Sequence, residues 1–461
     1  MIELSHQQKL DWTGAHTLIK DADLANPFET GVEYSSPARG PWNIVHTGML
    51  MPESHQIFVC AQSCLRGVVL TAAEMNAEER FSTITIEEHN ILDGDMEQLI
   101  IDGVADIVEK LPVRPRALLV FTSCIHHFVG CDLKYVYDKL HKNFPDIDIT
   151  DCYMNPTMRK TLTPPDVKMR QQLYSVLHET EVRDEGVNFI GNNFAHDTSS
   201  ELASVISNAD CFIRDICSMK TYDAFQKMAQ SRLNITTNPA AQLAAETLKK
   251  RFGTKQLYLP LSYRYDEIDS SIALLNTTLP SKDGTDNFIS SLCSKGRTDA
   301  DKALAQTAAL LGDMPISVDY TSTSRPLGLA RLLLAHGFNV VSVYADSFIP
   351  EEHDDFIWLK DNHPQLNLFA TIHPKMAILP AVEKENMHFE QSSTSNDANI
   401  LAIGQKAAYF TGTTHFVNMI EGSGLCGYTG IVKLAQLMND AYLHEKDTAK
   451  IIQVKGWGCC A

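Results

Sequence analysis

Short runs of apolar residues alternate along this chain with stretches in which apolar positions recur every three to four residues. A short apolar run bounded by turn residues predicts a buried strand, and the longer periodic stretches predict amphipathic helices. From residue 55 the order is strand His55–Cys60, helix Gly67–Glu79, strand Phe81–Glu87, helix Met96–Lys110, strand Ala117–Thr122, helix Leu133–Asn143, strand Ile147–Thr150 and helix Asp166–His178. A second series follows, with strands at Val187–Ile190, Phe212–Ile216, Asn234–Thr237 and Gln256–Leu259 and helices at Ser200–Asn208 and Ala240–Arg251. A third begins near Met314. Its strands are Ile316–Tyr320, Phe338–Tyr344, Leu368–Ile372, Ile400–Ile403 and Phe416–Ile420, and its helices are Pro326–His336, Glu351–Asn362 and Gly430–Leu443. Strands that alternate with helices imply parallel sheets with helical crossovers, hence an α/β fold of three Rossmann-like units. The expected organisation is an N-terminal arm at 1–54, then domains at 55–183, 184–313 and 314–461. Asn26-Pro27, Ser36-Pro37 and Gly40-Pro41 punctuate the arm, which reads as irregular. Residues 281–300 are polar and contain glycine, and read as a surface excursion.

Composition narrows what such a protein does. With 39 Lys and Arg against 57 Asp and Glu, its formal charge is −18, which repels phosphate backbones and anionic lipid. No basic stripe interrupts this, so nucleic acid is not an expected partner. A docking face of opposite sign is. The N-terminus has neither a basic region nor an apolar run, and no stretch approaches the ~18 apolar residues of a membrane span. A cytoplasmic protein without membrane contact is expected. No strand is followed by GxGxxG and no GxxxxGK[ST] occurs, so no nucleotide site of its own is predicted.

The cysteines change the picture most. There are 11, an odd number in a large chain with no export signal. A disulfide framework accounts for that poorly and metal ligation accounts for it better. In an open parallel sheet, ligands bind beyond the carboxyl ends of the strands. Two cysteine loops fall there: Cys60-Ala61-Gln62-Ser63-Cys64 after the first strand, and Ser123-Cys124 after the third, followed by Gly130-Cys131-Asp132. Cys64 and Cys124 each stand between a strand and a helix, near a helix N-terminus, where thiolate is the favoured form. Buried free cysteine is the commoner fate, but it explains one such residue better than two at equivalent strand ends. Cys60 is a further candidate ligand and Cys131 a weaker one. Soft thiolates suit iron–sulfur, zinc or copper, and the compact CxxC pairs of a structural zinc site are absent.

On these residues the chain resembles the nitrogenase component 1 family. The cysteine loop after the first strand is matched by Cys64, and an acidic-glycine stretch by Ile91-Leu92-Asp93-Gly94-Asp95-Met96-Glu97. The cysteine and Gly-Asp helix start are matched by Cys124 and Gly130-Cys131-Asp132, and a late GYxG element by Gly427-Tyr428-Thr429-Gly430. The likeness runs from about residue 35 to 445. It implies three parallel-sheet domains and a 4Fe–4S or larger iron–sulfur cluster on Cys60, Cys64 and Cys124. It also implies pairing with a similar subunit as a homodimer or heterodimer, and a separate ATP-dependent 4Fe–4S reductase that delivers electrons. The family's usual earlier cysteine, near Ser35 to Arg39, is missing here. The family's second metal cofactor takes a cysteine in the second domain and a histidine in the third. Cys217 and His415 lie near those regions without fitting the motif, and Cys426 precedes the GYxG element.

Glu87, His89, His126 and His127 are the candidate catalytic residues, for proton delivery or support of a cluster. The competing reading of Glu87 and His89 is a solvated helix cap. Glu421-Gly422-Ser423-Gly424 reads as a run of backbone donors for an anion. Cys293, Cys459 and Cys460 are not expected to bind metal. The expected function is that of an iron–sulfur oxidoreductase subunit reducing a small substrate. The alternative is a non-catalytic scaffold or carrier for assembly of a metal–sulfur cofactor.

Overall fold

The computed structural model describes residues 14–36, 38, 40–41, 43–159, 161–280, 284–378 and 400–447. The strands among these residues are β1 (His16–Leu18), β2 (Ser54–Ala61), β3 (Phe81–Ile86), β4 (Ala117–Ser123), β5 (Asp148–Met154), β6 (Asp184–Phe189), β7 (Phe212–Asp215), β8 (Ser231–Thr236), β9 (Lys255–Tyr258), β10 (Pro315–Asp319), β11 (Asn339–Tyr344), β12 (Asn367–Phe369), β13 (Leu401–Ile403) and β14 (Phe416–Val417). They form three sheets, ordered β3-β2-β4-β5, β7-β6-β8-β9 and β1-β12-β11-β10-β13-β14. Every pairing among them is parallel except that of β1 with β12. The α/β class with helical crossovers is therefore the observed one. The chain folds as two compact units. One is Trp42–Leu261 with Asp269–Cys293 and holds the first two sheets. The other is Met1–Pro41, Ser262–Ile268 and Ser294–Ala461, and holds the third.

The sheet β3-β2-β4-β5 carries the cysteine loops. Its central strands β2 and β4 are buried on both faces because helices cover both. Successive side chains point to opposite faces, so Ile57 and Val59 enter one core with Leu118 and Val120, under the helices Met96–Lys110 and Leu133–Asn143. Phe58 and Cys60 enter the other with Leu119 and Phe121. The second core also takes Ile190, Ile216 and Phe225, which belong to the β6–β9 half of the unit. The Phe58 and Phe121 rings stack there at 4.0 Å. Burying either ring contributes about 1.5–3 kcal/mol by area alone.

Two stretches differ from what the pattern predicts. Residues 285–300 lie at the surface as expected but are helical rather than irregular: Thr285–Leu311 is one long helix, with Ala300, Leu304 and Leu311 buried further along it. Gly296 reads as a loop signal in sequence, yet a Cβ there would meet the Tyr428 ring at 2.7 Å. The glycine makes room for a close approach inside a helix. The N-terminal arm is also more regular than its prolines suggest, since His16–Leu18 is an edge strand and Ile44–Met49 a helix. Leu18 and its neighbours are ordered by a non-local partner, β12, that no local pattern announces.

Candidate functional site

Parallel registry brings the cysteine loops to one edge. Val59 on β2 is level with Thr122 on β4, so Ala61 and Cys124, each two residues further, leave the sheet together. Cys64 lies in the first turn of the helix Gln62–Glu74 and is exposed. Cys124 opens the short helix Cys124–Phe128 and is half-buried. Cys60 is wholly buried on the face of β2 that it shares with Phe58, against Phe121. Burial pushes its thiol up to about 12, and the nearby Cys64 and Cys124 add to that rise. Cys60 thus lies near both of the other cysteines, more deeply buried than either.

The remaining sequence candidates fall elsewhere. Cys131 packs toward the opposite core from Cys60. Burial and the Glu97 carboxylate, to which its thiol donates, push it up to about 12, which holds it as a neutral thiol. Glu97 also accepts the Asp132 N–H at 2.7 Å. No sequence pattern pointed to this clasp, although Glu97 ends the acidic-glycine stretch. Glu87 caps the helix Glu88–Asp93, and its carboxylate lies 3.4 Å from the His89 ring, both largely exposed. Cys217 sits on the 3-10 turn after β7 and donates to the Asn192 carbonyl at 3.3 Å. His415 precedes β14, at its amino end rather than its carboxyl end, and its Nδ1 donates to the Ala441 carbonyl at 2.9 Å. Cys426 is the N-cap of the helix Gly427–Leu443. Cys459 and Cys460 lie outside the described residues.

The Glu421–Gly424 loop is not an open run of donors, since the N–H groups of Glu421, Gly422 and Ser423 are already taken. Those of Glu421 and Gly422 donate to the Thr321 and Ser322 carbonyls, and those of Ser423 and Leu425 to carbonyls within the loop. Left-handed φ at Glu421, Gly422, Ser423 and Gly424 turns the donors onto the chain's own carbonyls.

The two histidines beside Cys124 part company. His127 is exposed, its ring 6.0 Å from that of Tyr153. Tyr153 in turn donates to Asp151. His126 is fully buried, and burial lowers its pKa, keeping the imidazole neutral. Its Nδ1 accepts the Ser123 N–H at 3.0 Å, a capping contact that ties the ring back to the strand end.

Several apolar side chains are exposed on the same segments as the thiols. Leu92 is 77% exposed and Phe128 73%, and Val69, Ile91 and Val129 are also exposed, all on the three loops and helices that leave β2, β3 and β4. Among the described residues no group of three or more His, Cys, Asp or Glu side chains is arranged to hold a metal ion. The donor chemistry nonetheless fits a soft metal–sulfur group. Two accessible thiols stand at adjacent strand ends, each at a helix start, so one chain offers two ligands outright and Cys60 only if its buried sulfur is drawn out.

A family model described as "Nitrogenase component 1 type Oxidoreductase" matches residues 45–442. Two similar solved structures are "Nitrogenase Cp1 at pH 6.5", at 14% identity and TM-score 0.63 over 90% of this chain and 94% of that one, and "Nitrogenase Cp1 at pH 5", at 12% and 0.58 over 95% and 97%. No curated protein matches the sequence. At these identities the structures speak for the fold alone.

Proposed function

Since the chain belongs to the nitrogenase component 1 type oxidoreductase family, we propose that it is an iron–sulfur subunit that takes low-potential electrons from an ATP-dependent reductase and reduces a small substrate. The observation that carries this is the placement of Cys64 and Cys124 at the carboxyl ends of adjacent parallel strands, both accessible, with Cys60 behind them. When bound, an iron–sulfur cluster would supply one-electron storage at low potential. This chain's residues hold it and shape its surroundings. Cys64 and Cys124 bind through thiolate. The Phe58–Phe121 core behind them keeps water from the inner side, and Glu97 fixes the loop that follows Cys124.

A 4Fe–4S cube takes four protein thiolates, and one chain presents two at the surface. A second, similar subunit facing the same strand ends would supply the others. The exposed apolar collar of Leu92 and Phe128 suits such a contact. The acidic surface favours a reductase with a basic docking face.

The test is iron and acid-labile sulfide per chain after anaerobic purification or reconstitution, with turnover assayed against a 4Fe–4S reductase and ATP. Brown, iron-loaded protein whose electrons reach a substrate is the expected result. Protein that binds only zinc after reconstitution overturns the reading. Protein that turns over nothing but passes iron and sulfide to an acceptor replaces it with an assembly scaffold.

A further inference from the structure

The short helix Cys124–Phe128 holds a second group whose chemistry the ligand assignment leaves unused. His126 is 0% exposed, and its Nε2 has no hydrogen-bond partner among the described residues. The tautomer follows from geometry. The Ser123 amide can only donate, and it meets Nδ1 at 3.0 Å. The Ser123 carbonyl is farther from the same nitrogen, at 3.2 Å. Nδ1 therefore carries the lone pair and Nε2 carries the hydrogen. A buried N–H without an acceptor is uncommon in folded proteins and calls for an explanation, a functional acceptor being one. This one is two residues from Cys124, on the same five-residue helix. His127, its neighbour, is exposed and rests against Tyr153 instead.

We propose that the Nε2–H of His126 is a buried donor reserved for a sulfur of the cluster at Cys124, where it sets how readily that cluster takes up an electron. The inference rests on the reading of the cysteine site given above and adds a residue to it. An N–H···S hydrogen bond stabilises negative charge on sulfur, so it favours the reduced cluster over the oxidised one. The Ser123 contact to Nδ1 does two things at once: it fixes the tautomer and holds the ring.

The experiment compares His126→Asn and His126→Gln in the full-length, iron-loaded protein. Asn can still accept from Ser123 but is too short to present a donor where Nε2 stands. Gln can reach that position with its amide N–H. The expected result is wild-type iron content in both. In H126N the equilibrium for one-electron reduction falls about tenfold, a midpoint about 59 mV more negative. H126Q recovers most of that loss. The wild-type protein supplies a check that needs no variant. In the dithionite-reduced state, labelling with 15N-histidine and exchange into D2O should reveal one histidine nitrogen and one exchangeable proton coupled to the cluster's electron spin. Iron-loaded H126N with an unchanged midpoint, or wild-type protein with no such coupling, overturns the inference and leaves the cysteine site standing. Wild-type protein that takes up no iron overturns the site itself, and the inference with it.

Discussion

At the scale of single residues, position decides which cysteines matter. Cys64→Ala or Cys124→Ala is expected to abolish most bound iron, because each removes a bond and the charge that balances the metal. Cys60→Ala should give a partial loss, since its sulfur lies behind the other two in the core. Cys293→Ala should change nothing, as Cys293 sits within a long helix beside Glu201, not on a cysteine loop. Iron per chain across the four variants, with electron paramagnetic resonance of the reduced proteins, decides it, and full iron in C64A would refute the assignment at that loop. Glu352 shows how burial reshapes an ordinary carboxyl. It is fully buried, its Oε1 accepts the Leu327 and Gly328 N–H groups, and burial raises its pKa to about 8. The folded state therefore keeps a proton that the unfolded chain gives up near the usual carboxylate range. Stability owed to this group is complete below that range and is lost as pH rises through about 8. Glu352→Gln keeps the acceptor and removes the titration. Its stability relative to wild type should climb across that window, by an amount on the order of a few kcal/mol, and then level off. A flat difference between pH 4 and pH 9 in denaturant titrations would sink this account.

At the scale of elements, the strand–helix alternation was open to view because each element is locally consistent. Met96–Lys110 and Leu133–Asn143 are helices at the bounds their apolar spacing predicts. The exception, Thr285–Leu311, fails for a reason that only packing supplies. Its polar face and Gly296 mimic a loop, while the Tyr428 ring occupies the space a side chain would fill. The Tyr428 hydroxyl lies 3.1 Å from Arg297 Nε and 3.2 Å from the Tyr265 carbonyl, so the ring has little freedom to retreat. Gly296→Ala raises helix propensity by about 1 kcal/mol but is expected to lower stability by about 1–3 kcal/mol from overpacking. Thermal or denaturant unfolding measures the sign directly, and a stabilised G296A would show that the ring gives way. On the strand side, Phe58→Ala should cost about 3–5 kcal/mol, since it opens a cavity beside the stacked Phe121.

At the scale of the whole molecule, the ligand count and the apolar collar lead to the same expectation. Light scattering of the iron-loaded protein should give at least a dimer, and Leu92→Asp with Phe128→Asp should yield monomers that have lost their iron. Both side chains are largely exposed, so folding of the monomer should survive and circular dichroism should be unchanged. Iron-loaded monomers with wild-type spectra would show that one chain completes the site by itself. No helix among the described residues is long and apolar enough to cross a membrane.

The alternation of apolar runs with helical periodicity determined, by itself, that this is a parallel α/β chain, because strand and helix periods differ and sheets with crossover helices are how such an order buries its faces. The same reading placed Cys64 and Cys124 at strand ends, since a strand that stops before a helix leaves its last residues at the sheet's carboxyl edge. What it left open depended on partners distant in sequence. Strand alternation predicted that Cys60 and Val59 face opposite ways, but only the packed cores decided that Cys60 joins Phe121 while Val59 joins Val120. His415 stands close to a family ligand region in sequence, yet the sheet puts it at the amino end of β14, bound to Ala441. Glu421–Gly424 had the composition of an anion nest, and its donors went to Thr321 and Ser322, about a hundred positions away. His126 and His127 are identical in type and adjacent in sequence. A step of about 100° around the helix buries the first and exposes the second, and burial, which depends on every element packed around a side chain, is what tertiary structure alone assigns.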